Sequence, residues 1–211
     1  SVCDLNVAFP ALLKRIRTDV PASRFMFNNV NDFPTWATAS TPQDAIYIEV
    51  WAPHTTLGHL GGLLERARAA RPASVPILAA YLSVYANTPV EAADTAARLV
   101  MATIFSHGGT HLLNGENNTI LVDPYYPNNH SAAASTRSLM RRWYDFLVRY
   151  GDLLLSPHGV DVSRSYTGGI NEDLIFDVPD GVRVRTDPEP GTIWVRLVRT
   201  RLGMVVHLIN L

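Results

Sequence analysis

Apolar residues along the first half of the chain form short runs separated by polar loops and by segments with helical spacing. The runs cover residues 24–30, 45–51, 75–82 and 99–106. Short apolar runs of this kind are typical of strands buried on both faces, as in a parallel sheet. The run at 99–106 ends in a glycine turn, Gly108-Gly109. Successive runs begin 20 to 30 residues apart, which predicts alternating parallel strands and helices.

Apolar residues at helical spacing predict the helices between these strands. Thr88-Pro89-Val90-Glu91 has the form of a capping box with proline at the first helical position, and it predicts a helix that runs to about residue 98. Three further helices are predicted from apolar faces: Val7, Phe9, Leu12, Leu13 and Ile16; Leu60, Leu63, Leu64 and Ala67; Leu139, Trp143, Phe146, Leu147, Tyr150 and Leu154.

Beyond Pro157 the pattern changes to short β runs at 174–178, 182–185, 192–199 and 204–211, separated by Asp-Gly and Pro-Gly turns. Short β runs separated by such turns favour an antiparallel meander. The predicted fold class is therefore α/β. The four parallel units within residues 1–157 would make about half of a closed eight-stranded (β/α)8 TIM-type barrel, which predicts that further strands precede them, and residues 158–211 would form a separate β-rich segment. A complete doubly wound sheet of four or five strands is the competing interpretation.

The run Ala45-Ile46-Tyr47-Ile48-Glu49-Val50-Trp51 carries one carboxylate beside an indole at its carboxyl end. A buried carboxylate is costly unless it has a function or a partner, and charged residues at the strand C-termini of a barrel face the active site. A carboxyl group that can donate a proton, beside a flat apolar ring, suits sugar chemistry. The alternative is a structural glutamate paired with an Arg or Lys elsewhere.

Composition excludes several other classes of function. The chain has 211 residues, 47% of them apolar, and a formal net charge of −1 without a basic stripe, which argues against nucleic acid or an anionic membrane surface as partner. No apolar run approaches the roughly 20 residues that span a bilayer. The single Cys3 excludes an internal disulfide. There is no initiator Met and no signal peptide at Ser1, so we expect that the chain begins at a cut.

No cofactor is predicted, and no metal site. His107 and His111 have i, i+4 spacing, but the glycines between them break any helix that would align their rings on one ion.

Six short segments occur in an order and at spacings that resemble glycoside hydrolase family 66, the endo-dextranases and cycloisomaltooligosaccharide glucanotransferases. The resemblance covers about residues 4–154. The segments are Phe27-Asn28-Asn29-Val30, Tyr47-Ile48-Glu49-Val50-Trp51, Ile77-Leu78-Ala79-Ala80-Tyr81, Phe105-Ser106-His107-Gly108-Gly109-Thr110-His111, Tyr126-Pro127-Asn128-Asn129 and Trp143-Tyr144-Asp145-Phe146-Leu147-Val148.

The resemblance implies a (β/α)8 catalytic barrel followed by a β-sandwich, and a retaining double displacement at an α-1,6-glucosidic bond. It implies that residues 1–157 are the second half of this barrel, strands five to eight, and that residues 158–211 close the barrel region and lead into the C-terminal β domain. Glu49 falls on the position of the family's general acid/base. The family's nucleophile, an aspartate at the end of the fourth barrel strand, would lie upstream of this chain, because Asp4 aligns with the start of the following helix. Two segments depart from the family pattern, Leu112-Leu113-Asn114-Gly115-Glu116 and Asp152-Leu153-Leu154-Leu155.

The remaining candidate residues would bind substrate rather than react with it, and each has a structural alternative. Trp51 could be a sugar platform or part of the core. Asn28 and Asn29 could bond sugar hydroxyls, or one of them could cap the following turn. Tyr81 could line the cleft or be a structural tyrosine. His111, at the mouth of the last strand, could contact a sugar hydroxyl. The loop that contains Tyr125 and Asn128, at the same end of the predicted sheet, could be a sugar subsite or an ordered turn. The candidate substrate-binding residues are Asn28, Asn29, Trp51, Tyr81, His111, Tyr125 and Asn128.

Three functions remain open at this stage: an endo-dextranase-like hydrolase, a cycloisomaltooligosaccharide glucanotransferase, and a non-catalytic sugar-binding barrel. The short loop between Val84 and Glu91 favours the hydrolase, because the transferases usually carry an insertion there. The expected partner is an α-glucan polysaccharide or oligosaccharide, with no nucleic acid and no membrane. The polymeric substrate predicts an extracellular, secreted location, and open strand edges predict self-association.

Overall fold

The computed structural model describes residues 4–168 and 170–211. Cys3, on which the disulfide argument depends, and the chain start at Ser1 lie outside the described residues, and so does the side chain of Tyr126.

The described helices and strands alternate through the first half of the chain, and strands dominate its end. The helices are α1 (Leu5–Asp19), α2 (Thr35–Thr38), α3 (Leu57–Ala70), α4 (Val84–Asn87), α5 (Val90–Ser106), α6 (Ala134–Arg149), α7 (Gly151–Leu154) and α8 (Ser163–Tyr166). The strands are β1 (Asn28–Val30), β2 (Ile46–Val50), β3 (Pro76–Ala80), β4 (Thr110–His111), β5 (Thr119–Ile120), β6 (His130–Ser131), β7 (Val160–Asp161), β8 (Val184–Arg185), β9 (Ile193–Thr200) and β10 (Gly203–Asn210).

The first four strands form a parallel sheet whose spatial order, β1-β2-β3-β4, is also their order along the chain. In its register Val30 lies beside Glu49 and Glu49 beside Ala79. Because side chains alternate between the faces of a strand, Ile48 and Leu78 point to the opposite face, where both are fully buried in the core. One face of this sheet is therefore core, and Glu49 belongs to the other.

Helices α3 and α5 cover the core face of the sheet, the face of Ile48 and Leu78. The predicted apolar face of α3, which carries Leu60, Leu63, Leu64 and Ala67, is buried throughout. The helical spacing therefore predicted this element and its orientation correctly, and 45–51 and 75–82 likewise contain strands, at Ile46–Val50 and Pro76–Ala80.

The predicted fourth strand at 99–106 is wrong, because α5 continues through it to Ser106. The helix ends where Gly108 adopts φ +74°, with Gly109 N–H donating to Ile104 O and Gly108 N–H to Phe105 O. This is the Schellman arrangement, which glycine adopts without strain. The apolar run misled because a buried helical segment and a buried strand have the same short-range composition. The real fourth strand lies after the glycines, at Thr110–His111.

The predicted capping box at residues 88–91 is also absent. The Thr88 hydroxyl donates to the carbonyl of Val84 at 2.8 Å, so it closes α4 instead of opening α5. Helix α5 begins at Val90 with Pro89 as its N-cap residue and no side-chain cap bond.

The end of the chain forms a second, mainly antiparallel sheet in the order β10-β9-β7. β9 and β10 make a long hairpin, as predicted for 192–199 and 204–211. The predicted strand at 174–178 is wrong, since Leu174 and Phe176 pack as an irregular segment against the core of β9. Strand β8 adds to β9 in parallel, so this part is not a pure meander.

Arg196 of β9 joins the second sheet to the helices that cover the first. It is 8% exposed, and its guanidinium donates to Ser106 O at the end of α5 and to Glu65 on α3. It also pairs with Asp161 at 2.7 Å. The chain is thus a mixed α/β fold in which the antiparallel strands are attached to the helical layer behind the parallel sheet.

Candidate active site

Glu49 lies near the carboxyl end of β2 on the sheet face opposite the helical core. Tyr47, two residues earlier, shares this face by strand alternation, and so does Asn28 of the neighbouring strand, which pairs with Tyr47. Glu49 is 8% exposed, so its carboxylate depends on protein partners for much of its hydrogen bonding.

Two side chains hold the Glu49 carboxylate. Asn28 Nδ2 donates to Oε2 at 2.8 Å, and the indole Nε1 of Trp51 donates to Oε1 at 3.0 Å. The carboxylate is therefore held by neutral donors, one from β1 and one from the residue just after β2, and no Arg or Lys of the described residues forms an ion pair with it as the structural alternative requires. A carboxyl group in this setting can donate a proton and later accept one.

Two tyrosines surround the same carboxylate. Burial raises the pKa of Tyr81, and its interactions with Tyr47 and Glu49 act in the same direction. Burial and the charge of Glu49 likewise raise the pKa of Tyr47. Both phenols are therefore neutral at physiological pH and available as hydrogen-bond donors beside Glu49.

Three aromatic rings line the rim next to Glu49. Trp51 meets Tyr81 edge-on at a centroid distance of 6.1 Å and meets Tyr125 at 6.5 Å. Trp51 is 36% exposed and Tyr125 64% exposed, so part of each side chain is accessible to a ligand. Asp123 fixes this loop, since its carboxylate accepts from Tyr125 N–H and from Asn128 Nδ2, both at 2.7 Å.

The two predicted asparagines have different environments. Asn28 is exposed and contacts Glu49, whereas Asn29 is fully buried on the other face of β1. The Asn29 amide donates to Tyr47 O and accepts from the Thr38 hydroxyl. Asn29 therefore anchors α2 to the sheet, and its role as a sugar ligand stays a prediction without a contact to support it.

His111 is not brought to the face that carries Glu49. It pairs with Leu78, on the core face of the sheet, and is 2% exposed. Its Nε2 lies 2.8 Å from Ala80 O, and Nδ1 is buried without a hydrogen-bond partner among the described residues. Burial lowers the pKa of His111 to about 4, so the ring is neutral. The suggested contact with a sugar hydroxyl is untested.

Sequence reasoning missed Tyr47 and Asp123. The signal for Tyr47 was present, because it precedes Glu49 by two residues on a strand and so shares its face. The signal for Asp123 was weaker: an Asp before Pro124 and the Tyr-Asn loop is a turn residue whose partners only the folded loop reveals.

The described residues contain no group of three or more His, Cys, Asp or Glu side chains arranged to hold a metal ion. Within 4–168 and 170–211 there is also no helix with the length and apolar character needed to cross a bilayer.

Comparisons with known proteins place the chain among relatives of one enzyme family. A cycloisomaltooligosaccharide glucanotransferase of Niallia circulans is 33% identical over 115 residues, which cover 54% of this chain and 11% of that protein. A second one from the same organism is 31% identical over the same length, also 11% of its sequence. The match thus spans about a tenth of these curated relatives.

The crystal structure of a Paenibacillus sp. cycloisomaltooligosaccharide glucanotransferase complexed with cycloisomaltoheptaose superposes with a TM-score of 0.82 at 15% identity. It covers 99% of this chain and 48% of that one, and at this identity it supports the fold alone. The model of the family described as Glycosyl hydrolase family 66 matches residues 1–211. Since that match extends over the whole sequence, the chain belongs to glycosyl hydrolase family 66.

Proposed function

We propose that this chain carries the acid/base half of an active site that cleaves α-1,6-glucan with retention of configuration, with endo-dextranase-like hydrolysis as the reaction. The observation that carries the proposal is the position of Glu49, a buried carboxylate held by Asn28 and Trp51 at a strand end and bordered by accessible aromatic rings. The catalytic aspartate would come from outside these residues.

The sheet supports a place in a (β/α)8 barrel. Four parallel strands in chain order are what one side of such a barrel requires, and Glu49 lies towards their C-terminal end, where barrel enzymes have their active sites. The four strands would be the fifth to the eighth of the barrel.

In the first step of the proposed mechanism, the aspartate attacks the anomeric carbon while Glu49 gives its proton to the departing glycosidic oxygen. The bond to the leaving sugar breaks and a glucosyl ester forms. In the second step Glu49 takes the proton from water, whose oxygen displaces the aspartate. Asn28 and Trp51 would keep the carboxylate in one orientation through both steps.

A second candidate is intramolecular or intermolecular transfer, in which a sugar hydroxyl replaces water. The names of both curated relatives and of the structural neighbour, all cycloisomaltooligosaccharide glucanotransferases, favour it. Both candidates use Glu49 in the same way and differ only in the acceptor.

The experiment uses the complete protein that the reading frame encodes, incubated with dextran. Glu49→Gln should lower the rate of glucan cleavage by about 10²- to 10⁴-fold, the usual contribution of general acid/base catalysis. Formation of the glycosyl-enzyme from α-isomaltosyl fluoride should be affected far less, because fluoride leaves without a proton. Equal activity of Glu49→Gln and the unaltered protein on dextran would refute the proposal.

Two further properties belong to the proposal. Action on a polymer requires an extracellular location. The isolated chain should self-associate through its sheet edges and exposed apolar side chains such as Val30 and Trp36, which sedimentation velocity would detect.

A further inference from the structure

A second buried carboxylate, away from Glu49, has no part in the proposed mechanism. Asp94 lies on α5 and is 3% exposed. Its Oδ1 accepts from the hydroxyl of Tyr85 at 2.9 Å and from the hydroxyl of Thr136 at 2.7 Å. No Arg or Lys of the described residues forms an ion pair with it. Burying a carboxylate is costly unless it is hydrogen-bonded, so Asp94 depends on these two hydroxyls.

The two hydroxyls come from two different helices. Thr136 is fully buried on α6, and Tyr85 lies on α4, the short helix that follows β3. Burial raises the pKa of Tyr85, and its hydrogen bond to Asp94 acts in the same direction. The phenol is therefore neutral and donates its proton to the hydrogen bond. Asp94 thus joins both α4 and α6 to α5.

The segment that contains α4, residues 83–89, has few other bonds to the fold. Most of this segment is exposed. The side chains of Asn87 and Thr88 donate hydrogen bonds that end within it. Among the side-chain hydrogen bonds of the described residues, the one from Tyr85 to Asp94 joins this segment to another element. The bond to Asp94 is therefore the polar anchor of the segment.

The anchored segment follows directly on Tyr81, which lies beside Glu49. Leu82 donates its N–H to Leu121 O at 3.1 Å, and its own carbonyl accepts from the N–H of Tyr85, also at 3.1 Å. Tyr81 precedes Leu82 and interacts with the Glu49 carboxylate. The backbone that carries the Tyr81 ring is thus held on its C-terminal side by a turn that ends at Tyr85.

We propose that Asp94 is a positioning residue: by holding Tyr85 it fixes the segment after β3, and with it the place of the Tyr81 phenol beside Glu49. The inference rests on the proposed function and deepens it, because it makes the proton transfer by Glu49 depend on a residue of the helical layer. A neutral phenol can donate to the Glu49 carboxylate once that group has given its proton to the departing sugar.

Two variants remove one hydroxyl each from the same oxygen of Asp94. Tyr85→Phe keeps the ring and removes the donor on α4, whereas Thr136→Val removes the donor on α6 and is the matched control. In the complete protein, Tyr85→Phe should lower kcat on dextran about fivefold, the effect of one hydrogen bond, with little change in KM. Thr136→Val should leave kcat as it is.

Two further measurements separate positioning from a general loss of structure. Formation of the glycosyl-enzyme from α-isomaltosyl fluoride should be unchanged in Tyr85→Phe, because fluoride leaves without a proton. In a protein that already carries Tyr81→Phe, the addition of Tyr85→Phe should have no further effect on dextran cleavage, since the two residues would act through one contact.

Four results would each overturn the positioning role and leave the role of Glu49 intact. They are an unchanged kcat in Tyr85→Phe, an equal fall in Thr136→Val, an equal fall with the fluoride, and a fivefold fall that persists in the Tyr81→Phe protein.

If the complete protein neither cleaves dextran nor reacts with the fluoride, the proposed function fails, and amide hydrogen exchange decides the structural step separately. The Leu82 N–H and residues 83–89 should exchange faster in Tyr85→Phe than in Thr136→Val, because only the first change releases the segment. Equal exchange in the two variants would show that Asp94 does not fix the segment and would overturn the inference.

Discussion

The indole N–H of Trp51 donates to the carboxylate of Glu49 at 3.0 Å, although the two residues are only two positions apart. Successive same-face residues on a strand normally stand side by side, and β2 ends at Val50 between them. The end of the strand lets the indole turn back over the carboxylate while its ring stays in contact with Tyr81 and Tyr125. Trp51 thus connects the proposed acid/base to the aromatic rim.

Trp51→Phe separates these two functions, because it keeps an aromatic ring and removes the N–H donor. We expect kcat of the complete protein on dextran to fall about fivefold to tenfold, the effect of one lost hydrogen bond, with little change in KM. Trp36→Phe is the matched control, since Trp36 is exposed and its N–H donates to Asn6. A rise in KM without a fall in kcat would show that Trp51 acts only as a platform.

The 211-residue chain by itself should not hydrolyse dextran, because the proposed function places the catalytic aspartate outside these residues and the covalent route requires it. Reducing sugar released by the purified chain should equal that released by its Glu49→Gln variant. Activity above that control would mean that the described residues already contain a complete catalytic pair.

Two glycines one residue apart on α3 should respond in opposite directions to alanine. A Cβ at Gly61 would lie 2.5 Å from Nε2 of the buried His107, whereas at Gly62 it would meet only the guanidinium of the largely exposed Arg66 side chain, at 3.3 Å. Gly61→Ala should therefore lower the free energy of unfolding by about 1–3 kcal/mol through overpacking. Gly62→Ala should raise it by up to about 1 kcal/mol through helix propensity. Urea denaturation of the two variants checks this, and equal shifts would contradict the close packing of α3 on His107.

Arg196→Met should destabilise the chain, because it removes the common partner of Glu65 and Asp161 and the donor to Ser106 O. The two carboxylates are partly exposed, at 54% and 36% of their side-chain surface. Solvation therefore moderates the loss, and we expect about 1–3 kcal/mol instead of the larger cost of a fully buried charge. Arg199→Met, at an exposed position of the same strand, should have little effect in the same denaturation experiment.

Stability should decrease as the pH falls from about 7 to about 4. Burial lowers the pKa of His107 to about 3 and that of His111 to about 4, while an unfolded histidine titrates near 6.5. Below about pH 6.5 these two histidines therefore bind more protons in the unfolded chain than in the folded one. Each of them lowers the free energy of unfolding by up to about 1.4 kcal/mol per pH unit.

Urea denaturation at several pH values measures this slope. His107→Asn should make it shallower, because one buried imidazole no longer takes up a proton on unfolding. The same change at the exposed His130 is the control. If His107→Asn leaves the slope unchanged, the buried His107 does not contribute to the pH dependence of stability, and the prediction is wrong.

Hydrophobic periodicity determined much of the framework. The apolar run of β2, the four-residue apolar face of α3 and the position of Glu49 at a strand end were all predicted, and the structure has them. These features depend on local alternation and on the 3.6-residue helical period, which a sequence displays directly. The family also followed from short segments in a fixed order, and its model matches the whole chain.

Tertiary structure alone decided the rest, because it depends on which face of each element is covered. Residues 99–106 are apolar in either conformation, and the packing of α5 over the sheet, together with the glycines at its end, made them helical. Asn28 and Asn29 are identical side chains one position apart, and only the location of the core sends one to Glu49 and the other into the interior. The bond from Trp51 to Glu49 likewise depends on where β2 ends, which local patterns define poorly.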